Sequence, residues 1–487
     1  MLDLSATHVL MMLLTMLIII GGGIVSARKV RTAEGFSLNG RKTSASMAAG
    51  AIAGASIGGG STIGTSQLAY TAGISAIWFT LGVGIGLTFL ALFLVRPLRE
   101  SGCETVSQIL VRSYGRKTGP VAGVIASLGI FFSCLASVLP AVWMLAEMIR
   151  IPLWLSGFLV ILLISGYIYF GGMKGAAVSG LLKTGILWSM LVLVGFSAWK
   201  GLREIPDPAA AFPGDFWFDI FGRGTASCLE NVLSLIVGIC CGQTYAQVMF
   251  ASRDVRSARI GALAAALVSM PVGIPCVMAA MCMKASHPEI SPILALPAFV
   301  LEHMSPALAG ITLGALMMSL ISSVSGLTFG ISTMMSRDVL PGLLRLKTDS
   351  QILRANRTCV VVVSTGVIIF ALTHLDSQVL MWNFLSMSLR GSIFIPLLLA
   401  LWGCRRMAPV WAIPAMLISA FFAAGADTLL HLSVPPLFVG FAASIVLVVL
   451  GMTAGDQVNR LILRIIARFN LLVRKGIRRC TQSPQKL

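Results

Sequence analysis

The chain has 487 residues, 57% of them hydrophobic and only 11% charged, with a mean hydropathy of +0.91. That balance excludes a soluble protein of this length, and apolar stretches of about 18 residues or more recur from end to end, as spanning helices require. The alternating segments of a membrane β-barrel do not occur, and the net charge of +18 sits in short loops between apolar runs, where it is a topology signal and not a nucleic-acid footprint.

Taken in chain order, the apolar periodicity predicts thirteen spans: 7–26, 44–70, 75–97, 118–146, 152–170, 175–199, 227–251, 260–285, 306–335, 356–374, 378–403, 409–432 and 434–452. The first follows Asp3 and no Lys or Arg, and is too long for a signal-peptide core, so it reads as a helix that stays. Basic residues set the orientation. With the N-terminus outside, Arg28, Lys29, Arg31, Arg41 and Lys42 share the first inner loop. Arg96, Arg99, Arg112, Arg116 and Lys117 fall in the next, and Arg337, Arg345, Lys347, Arg354 and Arg357 in a later one. Arg150, Lys200, Arg203, Arg223 and Lys284 are left outside. The fold class is therefore all-α and polytopic, with about thirteen transmembrane helices, N-out and C-in, and partners at the inner face that include anionic lipid.

Two spans differ from the rest. Span 2 is built from Gly, Ala, Ser and Thr, with Gly58, Gly59 and Gly60 in a row, each costing about 1 kcal/mol relative to Ala in a helix interior. Backbone loosened at membrane depth survives only when buried in protein or lining a cavity. Gly50/Gly54 and Gly82/Gly86 read as close-packing seams, but the triple glycine followed by Ser61, Thr62, Thr65, Ser66 and Gln67 reads as a binding site. Span 7 carries Cys240-Cys241-Gly242-Gln243-Thr244-Tyr245-Ala246-Gln247 inside an apolar run. Five spans separate the two starts, the spacing of a five-plus-five inverted repeat whose interrupted helices meet at a solute site. The chain divides into an N-terminal helix and loop (1–43), a transport core (44–403, with repeats at 44–199 and 227–403), two further helices (404–452) and a basic tail (453–487). In that tail Arg460, Arg464 and Arg468 share one face of an amphipathic helix for the inner leaflet. Outer segments 200–226 and 286–304 are rich in proline, the second making short helices over the outer mouth.

With these features in place, the chain resembles the sodium/solute symporter family, whose members share the leucine-transporter type of inverted-repeat fold. The resemblance rests on Gln67–Trp78 after span 2, on Arg96-Pro97-Leu98-Arg99 and Glu104-Thr105, and on Arg112-Ser113-Tyr114-Gly115. It rests further on Tyr169-Phe170-Gly171-Gly172-Met173-Lys174 and on Ser322-Ser323 with Ser336-Arg337-Asp338. It covers roughly residues 30–405. It implies a sodium ion where span 2 meets span 9, held by the backbone carbonyls of Gly54, Ile57 and Ser319 and the hydroxyls of Ser322 and Ser323. No other metal, no cofactor and no enzymatic constellation is implied; the ten cysteines show no metal-ligand spacing.

Three departures shape the expectation. Where many members of the family carry Asp, this chain has Gly180, and one turn on it has Lys183, roughly 12 Å along the helix from Gly175. An ammonium at that depth is costly. It either snorkels away or stands in for the ion and couples transport to protons, a lysine being a residue whose protonation shifts readily when buried. Arg390 lies in span 11, and no acid lies deep in any span, since Glu147, Glu230 and Asp427 sit near outer ends. Its guanidinium is then a partner for a substrate carboxylate, or is satisfied by backbone carbonyls and structural waters. Span 7 lacks aromatics ahead of its glutamines, so the pocket suits a small carboxylate or amino acid better than a sugar. Ser56, Ser61, Gln67, Gln243, Tyr245 and Arg390 are the candidate solute contacts. The five histidines (His8, His287, His303, His374, His431) read as interfacial. The function expected is secondary symport of a small organic solute with sodium by alternating access. A proton-coupled carrier using Lys183 and a non-transporting membrane sensor of the same fold stay open.

Overall fold

A computed structural model of the protein describes residues 4–27, 33–344, 348–375, 377–403, 407–425 and 435–454, with 460 and 464. Apart from Arg460 and Arg464, the amphipathic tail lies outside the described residues, as do Arg28, Lys29, Arg31, Arg345, Lys347, Asp427 and His431. Within them the regular structure is helical, with one isolated bridge between Thr43 and Ser252. The principal helices are α1 (Ala6–Ala27), α2 (Ala45–Ser56), α3 (Thr65–Ala72), α4 (Trp78–Phe89), α5 (Val106–Tyr114), α6 (Thr118–Ile149), α7 (Leu153–Arg203), α8 (Thr225–Cys240), α9 (Gln243–Ala251), α10 (Val255–Ser269), α11 (Gly273–Ser286), α12 (Pro306–Met334), α13 (Asp349–Leu372), α14 (Val379–Gly391), α15 (Phe394–Leu401), α16 (Ala412–Gly425) and α17 (Pro436–Thr453).

Eight helices among the described residues are long and apolar enough to cross a membrane, or ten when the bent pairs α8–α9 and α14–α15 each count as one. The short apolar helices Ala45–Ser56, Leu153–Ile164 and Pro409–Gly425 lie where the sequence places spans 2, 5 and 12. The stretch α7 covers both span 5 and span 6. Near its start Gly157 packs on Ile368 and Leu372, and near its end Gly201 packs on Cys282. Near the middle of α7, Gly23 at the end of α1 packs on Gly175 and Ser179.

Small residues set the closest contacts. Gly54 of α2 faces Gly180 of α7, where an added Cβ would stand 3.0 Å from the Gly180 Cα, and Gly86 of α4 meets Ile236 and Ile239 of α8. In lipid, where burial of apolar surface does not drive helices together, such backbone-to-backbone packing does. Replacing Gly180 by Ala would drive a Cβ into the Gly50 carbonyl, a backbone group that cannot rotate away. Gly180→Ala is expected to lower stability by about 1–3 kcal/mol, an overpacking penalty, read as a lower melting temperature in detergent.

The expected interruptions are present. Helix α2 stops at Ser56, Ile57 leaves helical geometry at φ −87°, ψ 84°, and the chain resumes as a π-helical turn over Gly60–Gly64 before α3. Five spans on, α8 stops at Cys240, Gly242 is extended, and α9 restarts at Gln243 with a 46° bend. A short helix runs Ala295–His303 within the proline-rich segment 286–304.

Candidate solute pocket and cation cage

The triple glycine is where three helices press on the first break. A Cβ on Gly58 would strike the Ser323 side chain of α12; one on Gly59 would come 2.5 Å from the Ala136 carbonyl of α6. On Gly60 it would come 2.5 Å from Asn383 of α14. These glycines are therefore required by close approach and not only by the bend. Ser137 of α6 accepts the Gly59 N–H at 3.2 Å, satisfying a donor that the broken helix leaves unpaired.

Beside this break lies a small central pocket of 40 Å³ lined by Ser56, Ser61, Tyr245, Ser323, Asn383 and Arg390, among others. It has room for about two or three waters, so an organic solute needs Phe79, Leu327 or Met387, also in the lining, to move aside. Ser61 donates to the Ser56 carbonyl at 2.7 Å, and the Ser56 hydroxyl meets Ser269 of α10 at 3.0 Å. Four of the six expected solute contacts (Ser56, Ser61, Tyr245 and Arg390) thus share one pocket. Gln67 and Gln243 do not. Gln67 lines a separate cavity of 280 Å³ with Gly64, Trp143 and Ser291, and its side-chain oxygen accepts the Val379 N–H at 2.9 Å. Gln243 bridges backbone on the opposite side, accepting from Val106 N–H and donating to the Glu104 carbonyl, both at 2.9 Å. Ser133, Ser137 and Asn383 belong to the lining and were not singled out from sequence. The i, i+4 spacing of Ser133 and Ser137 on α6 was the available signal.

Arg390 is the one charged side chain in this lining, and it is almost wholly buried, 2% exposed. Nη1 donates to the Gly238 carbonyl at 2.9 Å; Nη2 donates to Ser386 at 2.9 Å and Ser133 at 3.1 Å; Nε donates to the Ser386 carbonyl at 3.3 Å. All the oxygen acceptors are neutral. A guanidinium carries two hydrogens on each terminal nitrogen, so Nη1 retains one N–H beyond that given to Gly238. No ion pair to Arg390 occurs among the described residues. The pocket therefore holds a positive charge that its own walls do not neutralise.

The group implied as a sodium site lies on the other side of the same break. The Gly54, Ile57 and Ser319 carbonyls converge, and Lys183 reaches into them. Its Nζ donates to Gly54 O at 2.7 Å and Ile57 O at 2.8 Å, with Ser319 O at 3.3 Å and Ser319 Oγ at 3.4 Å. Lys183 is completely buried; it does not snorkel. Ser323 turns instead to the Ala55 carbonyl at 2.8 Å, and Ser322 to the Ser319 carbonyl at 3.4 Å. Three of the five implied ligands are thus gathered round an ammonium, and the two hydroxyls are not.

The side opposite the Gln67 cavity is tied together by polar contacts. Arg337 pairs with Glu104 at 2.9 Å, Gln108 donates to Asp338 at 3.3 Å, and Gln247 donates to the Ser37 carbonyl at 2.9 Å and to Thr333 at 3.2 Å. Arg41 and Arg112 reach the carbonyls of Gly102 and Ser101 across the same surface.

Two broken helices in corresponding positions, with a small pocket between them lined by Arg390 and several hydroxyls, are the arrangement of a multi-pass membrane transport protein. The chain belongs to the sodium:solute symporter family, whose model matches residues 36–419. It is similar to High-affinity choline transporter 1 of Drosophila melanogaster, 24% identical over 338 residues, which are 65% of this chain and 53% of that one. The chain thus spans about half the length of that curated relative. Among solved structures, a Na⁺-coupled sialic acid symporter in a substrate-bound outward-open state matches with a TM-score of 0.74 at 14% identity, covering 92% of this chain and 97% of that one. That likeness shows the shared fold, the leucine-transporter type expected from the sequence.

Proposed function

We propose that this protein is a secondary transporter that carries a small organic anion, a carboxylate or amino acid, through the central pocket by alternating access. The observation that carries the reading is Arg390, a buried guanidinium with neutral partners and a remaining N–H in the pocket between two broken helices. Removing a charge from water without an opposite charge is costly in a membrane interior, and a solute carboxylate supplies that charge. The relative's named solute, choline, is a cation; the positive pocket disfavours it here. Family membership supports sodium as the driving ion. The basic loops support a cytoplasmic placement of the side opposite the Gln67 cavity and residence in a cell's inner membrane, with anionic lipid against that face.

Uptake of a radiolabelled panel (short carboxylates, amino acids, neutral sugars, choline) into proteoliposomes with an imposed sodium gradient tests this. Accumulation of a carboxylate-bearing solute, with choline and sugars excluded, is the expected result. Accumulation of choline or a neutral sugar instead sinks the anion assignment; accumulation of nothing in the panel sinks transport and favours a sensor.

A further inference from the structure

We propose that the cage at the break of α2 is not a sodium site in this chain: its resident cation is the ammonium of Lys183, tethered to α7. The resemblance puts sodium on the carbonyls of Gly54, Ile57 and Ser319, and these are the atoms the lysine engages. The two shortest contacts, 2.7 and 2.8 Å, are those of charge-assisted hydrogen bonds. An ammonium has three donors and no acceptor, so a ring of carbonyls with one hydroxyl satisfies it as it would satisfy a hard monovalent ion.

The helix contact that delivers the lysine belongs to this chain as well. Gly180 has no side chain, and its Cα packs directly on Gly50 and Gly54. Nearly one turn further along α7, Lys183 arrives level with the carbonyls that the break sets free. A bulkier residue at 180 would hold α7 away; a carboxylate there would pair with the ammonium and draw it out of the cage. Glycine at 180 and lysine at 183 thus work together, and both depart from the family pattern.

A sodium ion cannot share this space. The Gly54 and Ile57 carbonyls are already occupied, and a second positive charge at contact distance in a buried site is strongly repelled. Ser322 and Ser323, the remaining implied ligands, point to the Ser319 and Ala55 carbonyls. A tethered cation also competes at a high effective concentration. Sodium that drives transport therefore binds elsewhere in the protein. The tie between α2, α7 and α12 holds whatever the sodium concentration. A void of 30 Å³ is bordered by Gly54 and Ser322, two of the five implied ligands, and by Ala176.

The test uses the purified full chain and sodium chloride itself, against N-methylglucamine chloride, with thermal unfolding and equilibrium binding of radiolabelled sodium as readouts; no solute is needed, so it stands whether or not the transport reading does. Ligands that bind the native state raise its melting temperature. Lys183→Ala, which vacates the cage, is expected to melt below wild type in N-methylglucamine and to recover several degrees more than wild type in sodium, with one more bound sodium per chain than wild type. Lys183→Met, which fills the space without charge, is expected to show no such recovery. Lys183→Ser serves if the alanine variant does not fold. The proposal is overturned if wild type binds sodium and loses that binding in Ser319→Ala, or if neither Lys183→Ala nor Lys183→Ser gains sodium binding.

Discussion

Arg390→Ala is expected to weaken binding of the transported carboxylate by roughly thirtyfold to several thousandfold, the equivalent of the 2–5 kcal/mol lost when one partner of a buried charge pair is truncated. Arg390→Lys is expected to recover only part, because a single ammonium cannot reproduce a planar fork that already spends donors on Gly238, Ser133 and Ser386. Affinity is measured by binding of the solute that the uptake panel identifies. The difficulty is that Arg390 also ties α14 to α8 and α6 through these same bonds, so a loss of binding could reflect a loss of structure. Arg390→Met separates the two. Arg390→Met keeps most of the volume, and relief of an unpaired buried charge offsets the hydrogen bonds given up by Gly238, Ser133 and Ser386, so this variant is expected to melt close to wild type while binding as poorly as alanine. If Arg390→Met keeps wild-type affinity, the guanidinium is a structural plug and the anion reading is wrong.

How much of this was legible in the sequence differs from residue to residue, for physical reasons. The break at Gly58–Gly60 was readable because glycine carries a backbone cost that lipid does not relieve. The three-way approach of Ser323, Ala136 and Asn383 that also demands it exists only in three dimensions. The same holds for Lys183. Its depth followed from counting along the helix, but whether it snorkelled or filled the cage depended on Gly180 meeting Gly50 and Gly54, residues far apart in the chain. Gln67 and Gln243 show the reverse problem. A glutamine inside an apolar run looks the same whether its amide faces a pocket or pairs with stray backbone, and both serve backbone at opposite ends of the transport path. Ser133 and Ser137 passed unremarked because a serine on an apolar helix ordinarily bonds its own backbone, and nothing local distinguishes one that does not.

Gln243 yields the second large effect, on the conformational balance and not on the pocket. Its amide joins α9 to the Glu104–Val106 segment by two bonds, beside the Arg337–Glu104 pair. Gln243→Ala removes both and leaves a buried N–H and C=O unpartnered, at a cost of about 2 kcal/mol. If the open state hydrates those groups, its population relative to the closed state rises roughly thirtyfold. Cys103 is the natural reporter. It immediately precedes that segment, 2% exposed, and burial pushes its thiol above the ordinary range, against the opposing pull of Ser101, Arg112 and Arg41. The thiolate is the species that reacts. Opening therefore speeds labelling twice over, by admitting reagent and by letting the raised thiol fall back so that more of it is ionised at a given pH. A polar maleimide is expected to label Cys103 of Gln243→Ala in detergent many times faster than that of wild type, measured against Cys103→Ser as the blank, with solute affinity nearly unchanged. Equal labelling rates would mean that Gln243 does not hold the closed face shut, and a loss of solute affinity with labelling unchanged would return this glutamine to the pocket.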